Sequence, residues 1–186
     1  MKATISPTRH RRLGAAAALL VVTAIAPMTA GAASSNVASL PPTVRADGPT
    51  VVHDPTYTGS RVEVRSIDVP LTSLSLMILS VSGMPESTRG RVLGAHAHTK
   101  PCADDATASG PHHANPAGDP SKSLAAREVW LDISIDSQGR GTSIALFDWR
   151  IRKGDAGSVV IHAQPTNATT GAAGARVLCT TIPLGS

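Results

Sequence analysis

Apolar and polar residues alternate in short stretches along most of the chain: Arg61-Val62-Glu63-Val64-Arg65, Leu74 to Val81, Val129 to Ile135, and Ser158-Val159-Val160-Ile161-His162. A period of two sends successive side chains to opposite faces of an extended strand, and the Val and Ile content of these stretches suits a pleated, half-buried surface. Turn residues bound them at Ser82-Gly83-Met84-Pro85, Ser137-Gln138-Gly139 and Lys153-Gly154-Asp155. Past the N-terminal region no stretch keeps a helical period with caps, so the pattern predicts an all-β chain, an antiparallel sandwich or barrel. Two long segments, about 99–126 and 163–175, break the alternation with Ala, Gly, Pro, Asn and Asp. Irregular loops of that length on a rigid β scaffold are where function concentrates.

The N-terminus follows a different rule. Lys2, Arg9, Arg11 and Arg12 precede an apolar run from Leu13 to about Pro27, followed by the small residues Ala30-Gly31-Ala32. A basic segment, an apolar run and an A-x-A site describe a secretory signal peptide over 1–32. The alternative, a membrane anchor, needs roughly 18 to 20 apolar residues, more than this run supplies. Residues 33–50 are small, polar and proline-bearing and read as a flexible leader, leaving 51–186 as the β domain. The expected location is secreted or in the cell envelope, with no stable membrane insertion after cleavage.

Charge is informative only after that division. The chain of 186 residues carries 17 basic and 13 acidic side chains, a formal +4 that would suit nucleic acid or an anionic membrane. All four excess charges fall in 1–32, so the mature chain is formally neutral and no general attraction to nucleic acid remains. With 16% charged and 41% hydrophobic residues it is not a disordered tail, and two cysteines are too few for a disulfide-dense mini-protein. In an oxidising compartment a lone pair, Cys102 and Cys179, reads as a disulfide. The competing reading, metal ligation, lacks a CxxC spacing.

Histidines supply the candidate chemistry. Of seven, His10 leaves with the leader and His53 stands apart; the others are His96 and His98, His112 and His113, and His162. In Gly94-Ala95-His96-Ala97-His98 the spacing of two places both imidazoles on one face of a strand, as two neighbouring metal ligands require. His162 closes an apolar strand and His112 lies in the long loop. Imidazole suits copper, zinc, iron or nickel, and an all-nitrogen tetragonal set favours copper. His113 reads as a packing neighbour of His112, and Trp130 and Trp149 as core or sheet-face residues.

The order of these residues resembles the copper/zinc superoxide dismutase family in its exported bacterial branch. Ser82-Gly83-Met84-Pro85 and Gly94-Ala95-His96-Ala97-His98 are similar to G-L-x-P and G-x-H-x-H; Gly110-Pro111-His112 is similar to G-G-H; Val160-Ile161-His162-Ala163 is similar to the strand end bearing the last copper histidine. Gly174-Ala175-Arg176-Val177-Leu178-Cys179 resembles G-x-R-x-x-C. The resemblance implies a Greek-key β-barrel or sandwich with two long loops, copper held by His96, His98, His112 and His162, and a disulfide between Cys102 and Cys179. It implies Arg176 lining the channel for superoxide, and for His112 release from reduced copper and proton delivery.

Two departures shape the expectation. No histidine lies between His113 and His162, so the family's zinc site cannot be assembled, although His113, Asp119, Glu128 and Asp132 are the side chains nearest to doing so in sequence. The stretch Gln164 to Thr170 carries no charge where the family has an electrostatic loop. Both resemble copper-only members and imply that zinc is absent. Without zinc another group must orient His112, and Glu128 is the candidate. The expected function is copper-dependent disproportionation of superoxide. The alternatives are a copper-binding module with little turnover and a metal-free envelope module, since fold alone does not prove activity. Oligomeric state and protein partners cannot be read from the sequence.

Overall fold

The structure, a computed structural model, describes residues 43–46 and 50–182. The expected signal peptide, and the expected leader apart from 43–46 and residue 50, lie outside the described residues. Among the described residues ten strands occur in the order β1 (Thr43–Ala46), β2 (Val51–Val52), β3 (Arg61–Asp68), β4 (Ser75–Ser82), β5 (Val92–Leu93), β6 (Ala95–His98), β7 (Ile133–Ser134), β8 (Gly141–Phe147), β9 (Ser158–His162) and β10 (Arg176–Thr181). The one α-helix among the described residues is a single turn, α1 (Leu124–Arg127). No described helix is long and apolar enough to cross a membrane. β1 falls inside the stretch read as a leader, where its backbone pairs antiparallel with β3.

The chain is all-β, as the alternation predicts. One four-stranded sheet has the order β1-β3-β4-β8, a second the order β2-β10-β9-β6, and β5 pairs with β7. The chain crosses between the two main sheets after β1, β2, β4, β6 and β8, which gives a Greek-key sandwich of two open sheets rather than a closed hydrogen-bonded barrel.

Alternation decides what lies between the sheets. From the first come Val62, Val64, Met77, Leu79 and Val81; from the second Ala95, Ala97, Val159, Ile161 and Leu178, all buried. On β6 this leaves His96 and His98 facing away from the core, and on β9 it leaves Val160 and His162. Those outward side chains are nevertheless buried, since every residue of β6 and β9 is. A strand buried on both faces needs a cover on its second side, and the segment between β6 and α1 provides it.

The stretch 129–135 forms a strand only over Ile133–Ser134, but its earlier part still obeys the two-residue period. The Ala97 amide donates to the Val129 carbonyl (3.2 Å) and the Leu131 amide to the Ala95 carbonyl (2.7 Å), so this segment extends the sheet beyond β6. Val129 and Leu131 enter the core. Trp130 pairs with His96 across this edge and stands on the outward face with it. Trp149 is in the core and Trp130 on a sheet face, the two places the sequence allowed for them.

The covering segment is tied down covalently. Cys102, just after β6, is disulfide-bonded to Cys179 of β10 across 77 positions. The backbone amide of Cys102 also donates to the Thr181 hydroxyl (3.0 Å). By loop-closure entropy the cross-link contributes about 4 to 5 kcal/mol. Reducing the bond, or replacing both residues as Cys102→Ser with Cys179→Ser, is therefore expected to lower stability by roughly 4 kcal/mol in chemical denaturation. A loss below about 1 kcal/mol would contradict that role.

Candidate metal centre

His96 and His98 reach the outward face of the second sheet from β6, and His162 joins them from the end of β9, one strand over. His112 arrives from the covering loop, where a short bridge pairs it with His98. One nitrogen from each ring lies within 4.8 Å of all the others, and three of the four residues are buried. The rings crowd: His96 and His112 have centroids 3.9 Å apart, and His96 and His162 5.0 Å.

Each ring has one nitrogen held by the protein. His98 Nδ1–H donates to the Gly110 carbonyl (2.9 Å) and His162 Nδ1–H to the Gly174 carbonyl (3.2 Å). His112 Nδ1–H donates to Glu128 Oε2 (2.9 Å), which also accepts from the Trp130 indole (2.7 Å). His96 is held the other way round, with Nε2 on the Thr166 hydroxyl at 2.7 Å. A carbonyl only accepts, so the proton of His98 and of His162 sits on Nδ1 and a lone pair remains on each Nε2. These two Nε2 atoms face each other at 3.4 Å. Two lone pairs cannot hydrogen-bond to one another, and His96 Nδ1 is buried with no partner at all. A cation accepting from all of them removes both penalties, so the donor set fits a metal ion that prefers imidazole nitrogen.

Burial holds three of the rings neutral. It lowers His96 to about 2, helped by His112, His162 and His98. It lowers His98 to about 3, against the pull of the Gly110 hydrogen bond, and His162 to about 4, against that of Gly174. Glu128 is raised by burial, but its hydrogen bonds from His112 and Trp130 outweigh this and leave it below the usual carboxylate value.

Arg176 pairs with His162 across β9 and β10. Its guanidinium donates to the Ala106 carbonyl (2.8 Å), Ser109 Oγ (2.8 Å) and the Gly110 carbonyl (2.7 Å), so it is bound to the covering loop rather than to a carboxylate. Gly110, with φ of +76°, thereby offers one carbonyl to both Arg176 and His98. That backbone conformation favours glycine.

The side chains weighed for a second metal do not converge. His113 points the opposite way from His112, buried against Trp149 with ring centroids 5.5 Å apart. Asp119 is in an exposed turn, accepting from Ser121. Asp132 accepts from Thr166. Thr166 and Trp130 were not legible as site residues one at a time. The signal lay in the register: Glu128, Trp130 and Asp132 are spaced by two, and all three serve the histidine face.

No protein-family model matches the chain, and no curated protein matches it. Among solved structures it is similar to a mutant form of an SOD-like protein from Bacillus subtilis, with a TM-score of 0.55 and 19% identity, over 76% of this chain and 97% of that one. At that identity the likeness shows the fold: this is an SOD-like all-β sandwich.

The protonation pattern has a consequence for stability. Three histidines titrate lower in the folded chain than their ordinary value of 6.5, so between about 4 and 6.5 the unfolded chain binds more protons. Their contribution is complete above pH 6.5 and is lost as pH falls below that value. Denaturation of the metal-free protein at pH 7 and pH 5 is expected to show lower stability at pH 5, with a shallower dependence in His98→Gln. Equal stability at the two pH values would contradict the neutral, buried cluster.

Proposed function

We propose that the chain is an exported, copper-dependent superoxide dismutase-like protein whose copper is held by His96, His98, His112 and His162. The observation that carries this reading is the convergence of four imidazole nitrogens, each ring having its other nitrogen occupied by the protein. Copper is favoured among imidazole-preferring metals because the set is all nitrogen. Zinc plays no part in this reading: His112 Nδ1, the nitrogen that would have to bridge to a second metal, is engaged by Glu128. Export is supported by the disulfide and by the N-terminal sequence.

Bound copper supplies one-electron chemistry, taking an electron from one superoxide and returning it to a second, so that two superoxide ions and two protons give oxygen and hydrogen peroxide. The chain's residues do the rest. His112 is the one ligand that is not buried, its side chain 19% exposed, so it is the ring through which a proton would reach the site. Glu128, itself held by Trp130, keeps the proton on Nδ1 and fixes the orientation in which the ring would present Nε2 to the metal. Arg176 anchors the loop bearing His112 and brings a fixed positive charge beside His98 and His162, where it attracts a small anion.

A second reading, a copper-binding module with little turnover, is favoured by the charge-free stretch Gln164 to Thr170, which offers the anion no guidance beyond Arg176. Both readings predict one equivalent of tightly bound copper. Trp130 reports it, because its ring centroid is 5.8 Å from that of His96 and copper(II) there should quench its emission in a Trp149→Phe background. His162→Ala is expected to weaken binding at least tenfold, and Glu128→Gln roughly tenfold. Superoxide decay should be accelerated by the copper-loaded chain, and about tenfold less by Arg176→Ala at equal copper content. Copper binding without dismutation selects the module reading, and absence of copper binding sinks both.

A further inference from the structure

His96 differs from the other three rings in which nitrogen it leaves free, and the difference has a visible cause. Its Nε2 meets Thr166 Oγ1 at 2.7 Å. A threonine hydroxyl has one proton, and this one is committed: the hydroxyl donates to Asp132 Oδ1, while the Thr166 amide donates to Asp132 Oδ2 at 2.9 Å. The hydroxyl can therefore only accept from His96, so Nε2 must carry the ring proton. The lone pair is forced onto Nδ1, the buried atom with no protein partner.

We propose that Asp132 and Thr166 form a positioning relay that selects the Nδ1-free tautomer of His96 and so determines which nitrogen this ring presents to the metal. This rests on the copper reading above and adds to it Asp132, which that reading does not use. Asp132 comes from the strand edge next to β6 and Thr166 from the loop between β9 and β10, so the relay also pins that loop over the site.

Gly94 makes room for it. A Cβ at Gly94 would come within 2.8 Å of Thr166 Oγ1, 2.6 Å of Ala173 Cβ and 2.9 Å of the Gln164 carbonyl. The first residue of Gly94-Ala95-His96-Ala97-His98 thus leaves the space in which the threonine hydroxyl can reach His96. Unlike the carbonyls that hold His98 and His162, the relay consists of side chains, and single substitutions can break it without altering a ligand.

Long-range proton–nitrogen correlation spectra of the copper-free chain read the tautomer of each ring directly. The expected result is a proton on Nε2 of His96 and on Nδ1 of His98 and His162. Thr166→Val keeps the shape and the backbone hydrogen bond to Asp132 but removes the acceptor. It should give a mixture of His96 tautomers and a 10- to 100-fold loss of copper(II) affinity. Thr166→Ser should restore both, and Gly94→Ala should reproduce the loss with every ligand intact. A His96 protonated on Nδ1 in the unaltered chain would overturn the relay, and that measurement needs no variant. So would Thr166→Val with unchanged tautomer and affinity. A chain that binds no copper but shows the expected tautomer would sink the proposed function alone; one that binds copper with His96 in the other tautomer would sink the relay alone.

Discussion

Packing four imidazoles against one another under a protein cover is the constraint on which this structure turns. Burial and mutual repulsion drive three of these rings, His96, His98 and His162, neutral. Once neutral, each has one donor and one acceptor nitrogen to place. The chain meets the donor side with two backbone carbonyls, a glutamate and a threonine, and turns the acceptor side inward. The result is a pocket of unshared electron pairs, unfavourable by itself and favourable around a cation. Much of the surrounding structure maintains that arrangement: Gly110 for His98, Arg176 for Gly110, and the disulfide for the loop that carries His112.

The pleat makes such a pocket compatible with a stable sandwich. On β6 the alternation Ala95, His96, Ala97, His98 sends alanines to the core and histidines away from it, and on β9 Val159 and Ile161 enter the core while His162 does not. The same register operates in the neighbouring segment, where Val129 and Leu131 are core and Glu128, Trp130 and Asp132 are on the histidine side. Apolar packing and polar chemistry thus occupy opposite faces of the same backbone. A one-residue slip would exchange them, which ties the fold and the site together.

The fold was legible in the alternation, His96 and His98 in their two-residue spacing, and His112 and His162 as their partners through the resemblance carried by the order of the motifs. Alternation marked β3, β4 and β9, and the two-residue interval marked His96 and His98 as neighbours on one face. Glu128 was legible as the partner of His112 once another orienting group was needed. Less visible were features that depend on loop geometry. Thr166 lies in a stretch whose composition marks only a loop, and its role arises because Gly94 lacks a side chain and Asp132 stands across from it. Trp130 read only as a core or sheet-face residue, because apolar alternation does not say which face meets the core. Arg176 was read as a channel residue, yet three of its hydrogen bonds hold the covering loop, a backbone task with no sequence signature.

The central claim is that four imidazole nitrogens, three Nε2 and the Nδ1 of His96, converge as one copper site. Electron paramagnetic resonance of the chain loaded with one equivalent of copper(II), compared with a sample carrying nitrogen-15 histidine, tests it most directly. The account predicts a single tetragonal copper species whose hyperfine pattern requires four histidine nitrogens and changes wholly with the isotope. A signal from heterogeneous surface sites, or one with two or fewer histidine nitrogens, would contradict it.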